Sequence, residues 1–257
     1  MDEHSGTIYP YYILKKEICF IADDFGHSPE INAAIVRAHC EGALHGAGLM
    51  MGQTATAKAV QLAREHKQLQ VGLHFHLCDS TPVTCAAWPW GSSPHRAGWS
   101  IGLSHAARAL MRREVQAQWD LFQATGLGCA FVNCHHHLHV HPAVCATLME
   151  ILPQDFAGWV RLGQPRLFSQ RLRDRARHAA VAFWSGRGRR SNPHPTCRTL
   201  WGLDRLFKMQ ASEILGVVPG LPDGLHEFMF HPRAAENDTD VACLLELRAH
   251  NVQSGRP

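Results

Sequence analysis

The chain of 257 residues is 46% hydrophobic and 18% charged, enough apolar content to bury one sizeable core and too much for a disordered chain. A net charge of +3 is too small to point to nucleic acid, and the longest apolar runs fall short of the roughly 20 residues of a membrane span. Nine cysteines without C-x-x-C spacing favour reduced thiols in a cytoplasm over a disulfide scaffold, and 19 histidines are about three times ordinary usage.

Strand-like and helix-like patterns alternate along the chain, which predicts βα units around a parallel sheet. "EICFIADDFG" reads as a buried strand closed by two acids and a glycine. "SPEINAAIVRAHCEG" follows as a helix, with Ser28 as N-cap, Pro29 at its first position, Gly42 as its stop, and Ile31, Ala34, Ile35 and Ala38 on one face. "GALHGAGLMM" is a second strand, "ATAKAVQLAREH" a second helix and "LQVGLHFHL" a third strand, before a Pro/Trp/Ser-rich loop over about 79–100. A long helix fits "SHAARALMRREVQAQWDLFQATG" up to Gly126. Next come a strand "CAFVNCHHHLHVH", a helix opened by Pro142 and a short strand in "GWVRLG". Residues 164–205 hold ten Arg against Asp174 and Asp204, and "SGRGRRSNPHP" reads as loop. "LDRLFKMQASEILG" returns to helix and "GLHEFMFHP" gives a last strand. No signal peptide is expected from the opening residues.

Side chains alternate faces along a strand. In the third strand, Leu69, Val71, Leu73, Phe75 and Leu77 share an apolar face, with Gly72, His74 and His76 opposite. In the histidine-rich strand, Phe131, Asn133, His135, His137 and His139 fall on one face, and Cys134 packs behind it. Two strands with an apolar side and a histidine side suit helices on one side and a polar cavity on the other, as inside a barrel mouth. Barrel enzymes carry catalytic groups at the C-terminal ends of their strands. Asp24, His74 and His135 all lie near such ends, and two imidazoles with one carboxylate are a recurrent ligand set for Zn²⁺ and related ions. Adjacent acids on an extended strand point apart, so Asp23 and Asp24 can serve one site only if the chain turns there, which Gly26 permits.

At these residues the chain resembles the YdjC-like carbohydrate deacetylases. The resemblance runs in order through "IADDFGHSPEINAAIVRAHCEGAL", "VGLHFHL", "VNCHHHLHVHP", "VRLG" and "HEFMFHP", over roughly residues 17–250, and looks closest to the branch associated with hopanoid biosynthesis. It implies a single α/β domain with a TIM-barrel-like fold, residues 1–16 being an N-terminal extension and 251–257 a flexible tail. It further implies hydrolysis of an N-acetyl group on an amino sugar. Asp24, His74 and His135 would hold one divalent metal ion, Zn or Mg, and Asp23 would be the general base that takes a proton from the attacking water. His231 would be a general acid or oxyanion stabiliser, and Asn133, His137, His139, Arg161 and Glu227 would be substrate-binding groups. His136 and His141 are the expected bystanders. The substrate would be an N-acetylglucosamine unit on a glycosylated hopanoid lipid. The alternatives are soluble chitooligosaccharides, or a histidine-rich metal-binding protein without catalysis.

The Arg171, Arg173, Arg175 and Arg177 cluster reads as a solvated face, or as a peripheral contact with anionic lipid at the inner face of the membrane. A homodimer is left open.

Overall fold

The computed structural model describes residues 15–251. The expected N-terminal extension and tail lie outside them, apart from Lys15, Lys16 and Asn251. Eight parallel strands form one sheet: β1 (Lys16–Phe25), β2 (Gly46–Leu49), β3 (Gln70–Phe75), β4 (Phe131–Cys134), β5 (Trp159–Val160), β6 (Gln164–Arg166), β7 (Thr199–Trp201) and β8 (Gly224–Phe230). Their order is β5-β4-β3-β2-β1-β8-β7-β6. The two outermost strands are neighbours in sequence, and a bridge from Val160 to Thr196 ties the β5 edge to the segment entering β7. The sheet thus curls into a TIM-barrel-like single domain.

The helices between strands begin where local chemistry starts them. In α1 (Pro29–Cys40), the Ser28 side chain accepts from the Ile31 amide and proline occupies the first turn. Ser104 does the same for α4 (His105–Ala124) by accepting from Ala107, and Gly126 at φ +70° takes the left-handed residue after it. His141, an expected bystander, caps α5 (Pro142–Ile151) by accepting from the Ala143 amide.

Three stretches differ from the sequence expectation. The loop at 79–100 contains most of a helix (Pro94–Leu103), begun by Ser93 and Pro94. The "SGRGRRS" stretch belongs to a 20-residue helix, Leu172–Ser191, whose two glycines mask its period. In "LDRLFKMQASEILG" only Ala211–Val217 is helical. Alternation along β1 sorts the barrel wall. Ile18, Phe20 and Ala22 pack outward against the helices, whereas Cys19 and Ile21 join Phe131, Trp159, Cys197 and Leu225 in a separate interior cluster. That apolar plug fills the barrel, and the next inward positions of β1 and β4 are Asp23 and Asn133. The Phe131 ring fills the space beside Gly72, where an added Cβ would come within 2.4 Å of it.

Candidate functional site

Above the plug, β1 stops being regular. Its pairing with β2 slips between Ala22 and Phe25, and Asp24 sits at φ 68°. A left-handed aspartate is uncommon, and it lets two consecutive carboxylates face the same cavity. The turn therefore falls on Asp24 itself, ahead of Gly26 at φ +92°.

Asp23 is 1% exposed and fully matched. Arg161 donates from both Nη1 and Nη2 to its two oxygens, and Asn133 Nδ2 donates to Oδ1 at 2.9 Å. The guanidinium Nε donates to Glu227, whose other oxygen accepts from Trp159 Nε1 at 3.0 Å. Burial pushes the Asp23 carboxyl up, but Arg161 and then His74 hold it far below the usual carboxylate range.

Asp24 has the opposite surroundings. Its Oδ1 lies 3.2 Å from His74 Nε2 and 3.0 Å from His135 Nδ1. Nevertheless, Asp24 Oδ1 and His74 Nε2 are buried atoms without a hydrogen-bond partner. Asn133 orients the ring: His74 Nδ1 donates to Asn133 Oδ1 at 2.6 Å, and the Asn133 amide is held by its own donation to Asp23, which leaves Nε2 facing Asp24. Against its burial, Asp23 and then Asp24 raise the His74 pKa, so Nε2 carries a proton toward Asp24 that a cation would replace. Two donors each about 2.1 Å from a common ion, and about 90–110° apart, stand about 3.0–3.4 Å from one another. The Asp24–His74 and Asp24–His135 separations meet that test, and the three residues form one of the two groups of potential metal donors among the described residues. The second is Asp79, His135 and His136.

The histidine run does not continue as a strand. β4 ends at Cys134, and His135–Val140 forms a 3-10 segment with His136 and His137 at φ 56° and 57°. Odd-position alternation therefore fails after His135, because two left-handed residues rotate the chain off the pleat. His137 stays at the cavity: its Nδ1 is buried without a partner, and Asp23, Arg161 and His231 all act on its charge. His139 turns away, 1% exposed, with Nε2 bonded to the Arg161 carbonyl at 2.7 Å. His136 contacts Asp79 at 3.1 Å. Arg161 and Glu227, expected to touch the sugar, are both 0% exposed and spend their polar groups on Asp23, on each other and on Trp159. His231 leaves the end of β8 with Nε2 3.8 Å from Asp23 Oδ2, and its backbone amide is held by Asp240 at 2.7 Å. Burial lowers its pKa, only partly offset by Asp24 and Asp23.

Sequence reasoning missed Gly48, Asp79, Trp159 and Asp240. Gly48 was the hardest to see: a Cβ there would stand 2.9 Å from the His74 Cβ and 3.2 Å from Asp23 Oδ1, so its emptiness gives both groups room.

The model of the family described as YdjC-like protein matches residues 17–253. The chain belongs to the YdjC-like family. Among relatives, the carbohydrate deacetylase of Brevibacillus brevis is 37% identical over 132 residues, covering 51% of this chain and 53% of that protein. The carbohydrate deacetylase of Geobacillus stearothermophilus is 36% identical, covering 48% and 50%, and that of Vibrio vulnificus YJ016 is 33% identical, covering 49% and 51%. This YdjC-like chain spans about half the length of the relatives it matches. A crystal structure from Enterococcus faecalis V583, provisionally described as a cellobiose-phosphate cleavage protein, superposes with a TM-score of 0.62 at 15% identity. It covers 91% of this chain and 93% of its own, which shows the shared fold.

Proposed function

We propose that this YdjC-like chain is a metal-dependent deacetylase that hydrolyses the N-acetyl group of an N-acetylglucosamine unit. One observation carries the reading: a saturated carboxylate, Asp23, stands beside an unsaturated donor set, Asp24, His74 and His135. The names of the relatives support deacetylation of a carbohydrate as the reaction.

Asp24, His74 and His135 would hold a divalent ion, Zn or Mg. When bound, the ion supplies Lewis acidity that polarises the acetyl carbonyl and lowers the pKa of water. Arg161 and Asn133 keep Asp23 ionised and aimed, so it is free to take the proton of the attacking water and pass it to the departing amine as the C–N bond breaks. The same pairing lowers the basicity of Asp23, so its part in the reaction rests on its position beside the water more than on its proton affinity. His231 is neutral near pH 7 by virtue of its burial, which suits an N–H donor to the developing oxyanion better than an already charged acid. His137, with its unpartnered Nδ1, is the best placed of the remaining histidines to bond the sugar. Arg161, Glu227 and His139 act from behind as positioning groups.

A lipid-linked acceptor such as a glycosylated hopanoid is favoured by one surface. A cleft of about 1070 Å³ is lined by Arg171, Arg173, Leu206 and Lys208, with Leu172 beside it 79% exposed. Phe207, in the same loop, stacks edge-on against the His231 ring at 5.8 Å. Cations and apolar groups together at the site's edge suit an anionic lipid surface, and no helix among the described residues is long and apolar enough to cross a membrane. The test is acetate release from chitobiose and from vesicle-borne N-acetylglucosaminyl lipid, with elemental analysis alongside. One ion per chain and turnover of the lipid substrate are expected. Turnover of chitobiose alone removes the lipid reading, and several bound ions without acetate release favour a metal-binding protein.

A further inference from the structure

The two donor groups share His135, and their members form a ladder of exposure. Side chains are 53% exposed at Asp79, 34% at His136, 15% at His135 and Asp24, and 2% at His74. From these positions we infer that Asp79 and His136 are a loading site, which captures the divalent ion from solvent and delivers it through His135 to Asp24 and His74. The inference rests on the metal centre proposed above.

The outer pair is built to be present rather than left over. Asp79 and His136 come from different βα loops, after β3 and β4, and both take left-handed backbone, φ 52° and 56°. Such conformations cost free energy in non-glycine residues and persist where surrounding contacts impose them. For Asp79 those contacts come from the residues that follow it. The next residue, Ser80, bonds His76 Nδ1 at 2.8 Å through its hydroxyl, and its carbonyl accepts from Trp88 Nε1 at 2.7 Å. Thr81 donates its amide to Gln53 Oε1 at 3.1 Å. The carboxylate is thus exposed but stands on a clamped loop. Its Oδ2 lies 3.1 Å from His136 Nε2, the spacing two donors adopt on one ion. A cation entering there replaces the hydrogen that the pair shares, and the imidazole stays neutral by carrying its proton on Nδ1 instead. The rings of His136 and His135 are 4.2 Å apart, so the next donor is within reach without a large displacement.

Electrostatics gives the pair a task. The chain carries a net charge of +3 and its second half is rich in arginine, which disfavours the approach of a cation to a barrel mouth. Inside, Asp23 is already neutralised by Arg161, leaving Asp24 as the uncompensated carboxylate of the inner site. An exposed carboxylate beside an imidazole at the rim offsets that barrier where the ion must pass.

The experiment follows Co²⁺ uptake by the metal-stripped protein through its ligand-field absorption after rapid mixing. Asp79→Asn and His136→Asn are suitable variants because asparagine tolerates the left-handed backbone. Each should take up Co²⁺ about tenfold more slowly than the parent, with the same final spectrum and one ion per chain. Thermal unfolding of the metal-stripped variants accompanies the measurement, and each single variant tests the pair if the other unfolds early. Parent-like uptake in both variants would overturn the inference, as would a second Co²⁺ retained by the parent at equilibrium. His74→Ala distinguishes failure of the metal centre from failure of the loading site. If it binds Co²⁺ as the parent does, the metal centre itself is wrong; if it loses the ion while the loading rates of the other variants stay unchanged, only the loading site fails.

Discussion

Asp23 and Asp24 are neighbours in the chain and opposites in surroundings. Asp23 sits in a closed ring of donors that ends at Trp159, and nothing more is needed to make its burial tolerable. Asp24 Oδ1 and His74 Nε2 are buried atoms that face one another at 3.2 Å without a well-formed hydrogen bond. A buried polar group without a partner costs free energy, so a fold that matches one carboxylate completely and leaves its neighbour bare has set that neighbour aside for something it must bind. Asp23 is the deeper of the two acids, 1% exposed against 15%, and their hydrogen bonds separate them further.

The difference between the two carboxylates has its largest consequence at Asp23. Asp23→Asn keeps the size and one acceptor but removes the base, and turnover should fall by about 10²–10⁴-fold while metal stoichiometry is unchanged. Retained acetate release would remove Asp23 from the proton transfer. Arg161→Met tests the structural side of the same ring. It leaves Asp23 and Glu227 buried without their cation, and urea unfolding should show a loss of about 3–5 kcal/mol. By contrast Asp24→Asn, compatible with φ 68°, should cost about 1–2 kcal/mol in the metal-stripped protein, because it weakens the contacts to His74 and His135 without stripping a buried carboxylate of its cation. If the two variants destabilise equally, the distinction between saturated and unsaturated carboxylates fails. Asn133 links the two regions, and Asn133→Ala should weaken metal affinity by about 10–100-fold by releasing the His74 tautomer. Competition against a chelator measures it.

The smallest effect lies away from the site and is a matter of pH. His45 Nδ1 accepts from the Phe20 amide at 2.9 Å, so it must stay unprotonated. Burial, helped by His39, lowers its pKa to about 4. Between pH 6.5 and 4 the unfolded chain takes up a proton that the folded chain refuses, so stability is complete above 6.5 and is lost as pH falls. His45→Gln should flatten that slope by less than about 1.4 kcal/mol per pH unit, since partial exposure screens the charge. An unchanged slope would show that His45 does not contribute.

What the sequence revealed follows from the reach of its rules. Period-two alternation placed His74 and Asn133 inside and Leu73 and Cys134 outside, because β3 and β4 are regular there. The same rule misjudged His139, since it cannot register two left-handed residues. Caps at Ser28 and Ser104 were legible because capping is local. Arg161 was not: in "GWVRLG" it reads as a group available to a ligand, and only pairing with Asp23, 138 positions away, shows why it is sealed. Glycines hid the helix at Leu172–Ser191 for the reverse reason, since packing against its neighbours outweighs their poor propensity.

The barrel wall is uneven. β1 runs for ten residues, while β5, β6 and β7 have two, three and three. Amide exchange should therefore be fastest along that short-stranded arc, where few ladder bonds must open together. Arg161 follows β5 directly, so an opening there withdraws the counter-charge of Asp23 while the long strands remain paired. Heat should consequently silence this protein some degrees before it melts.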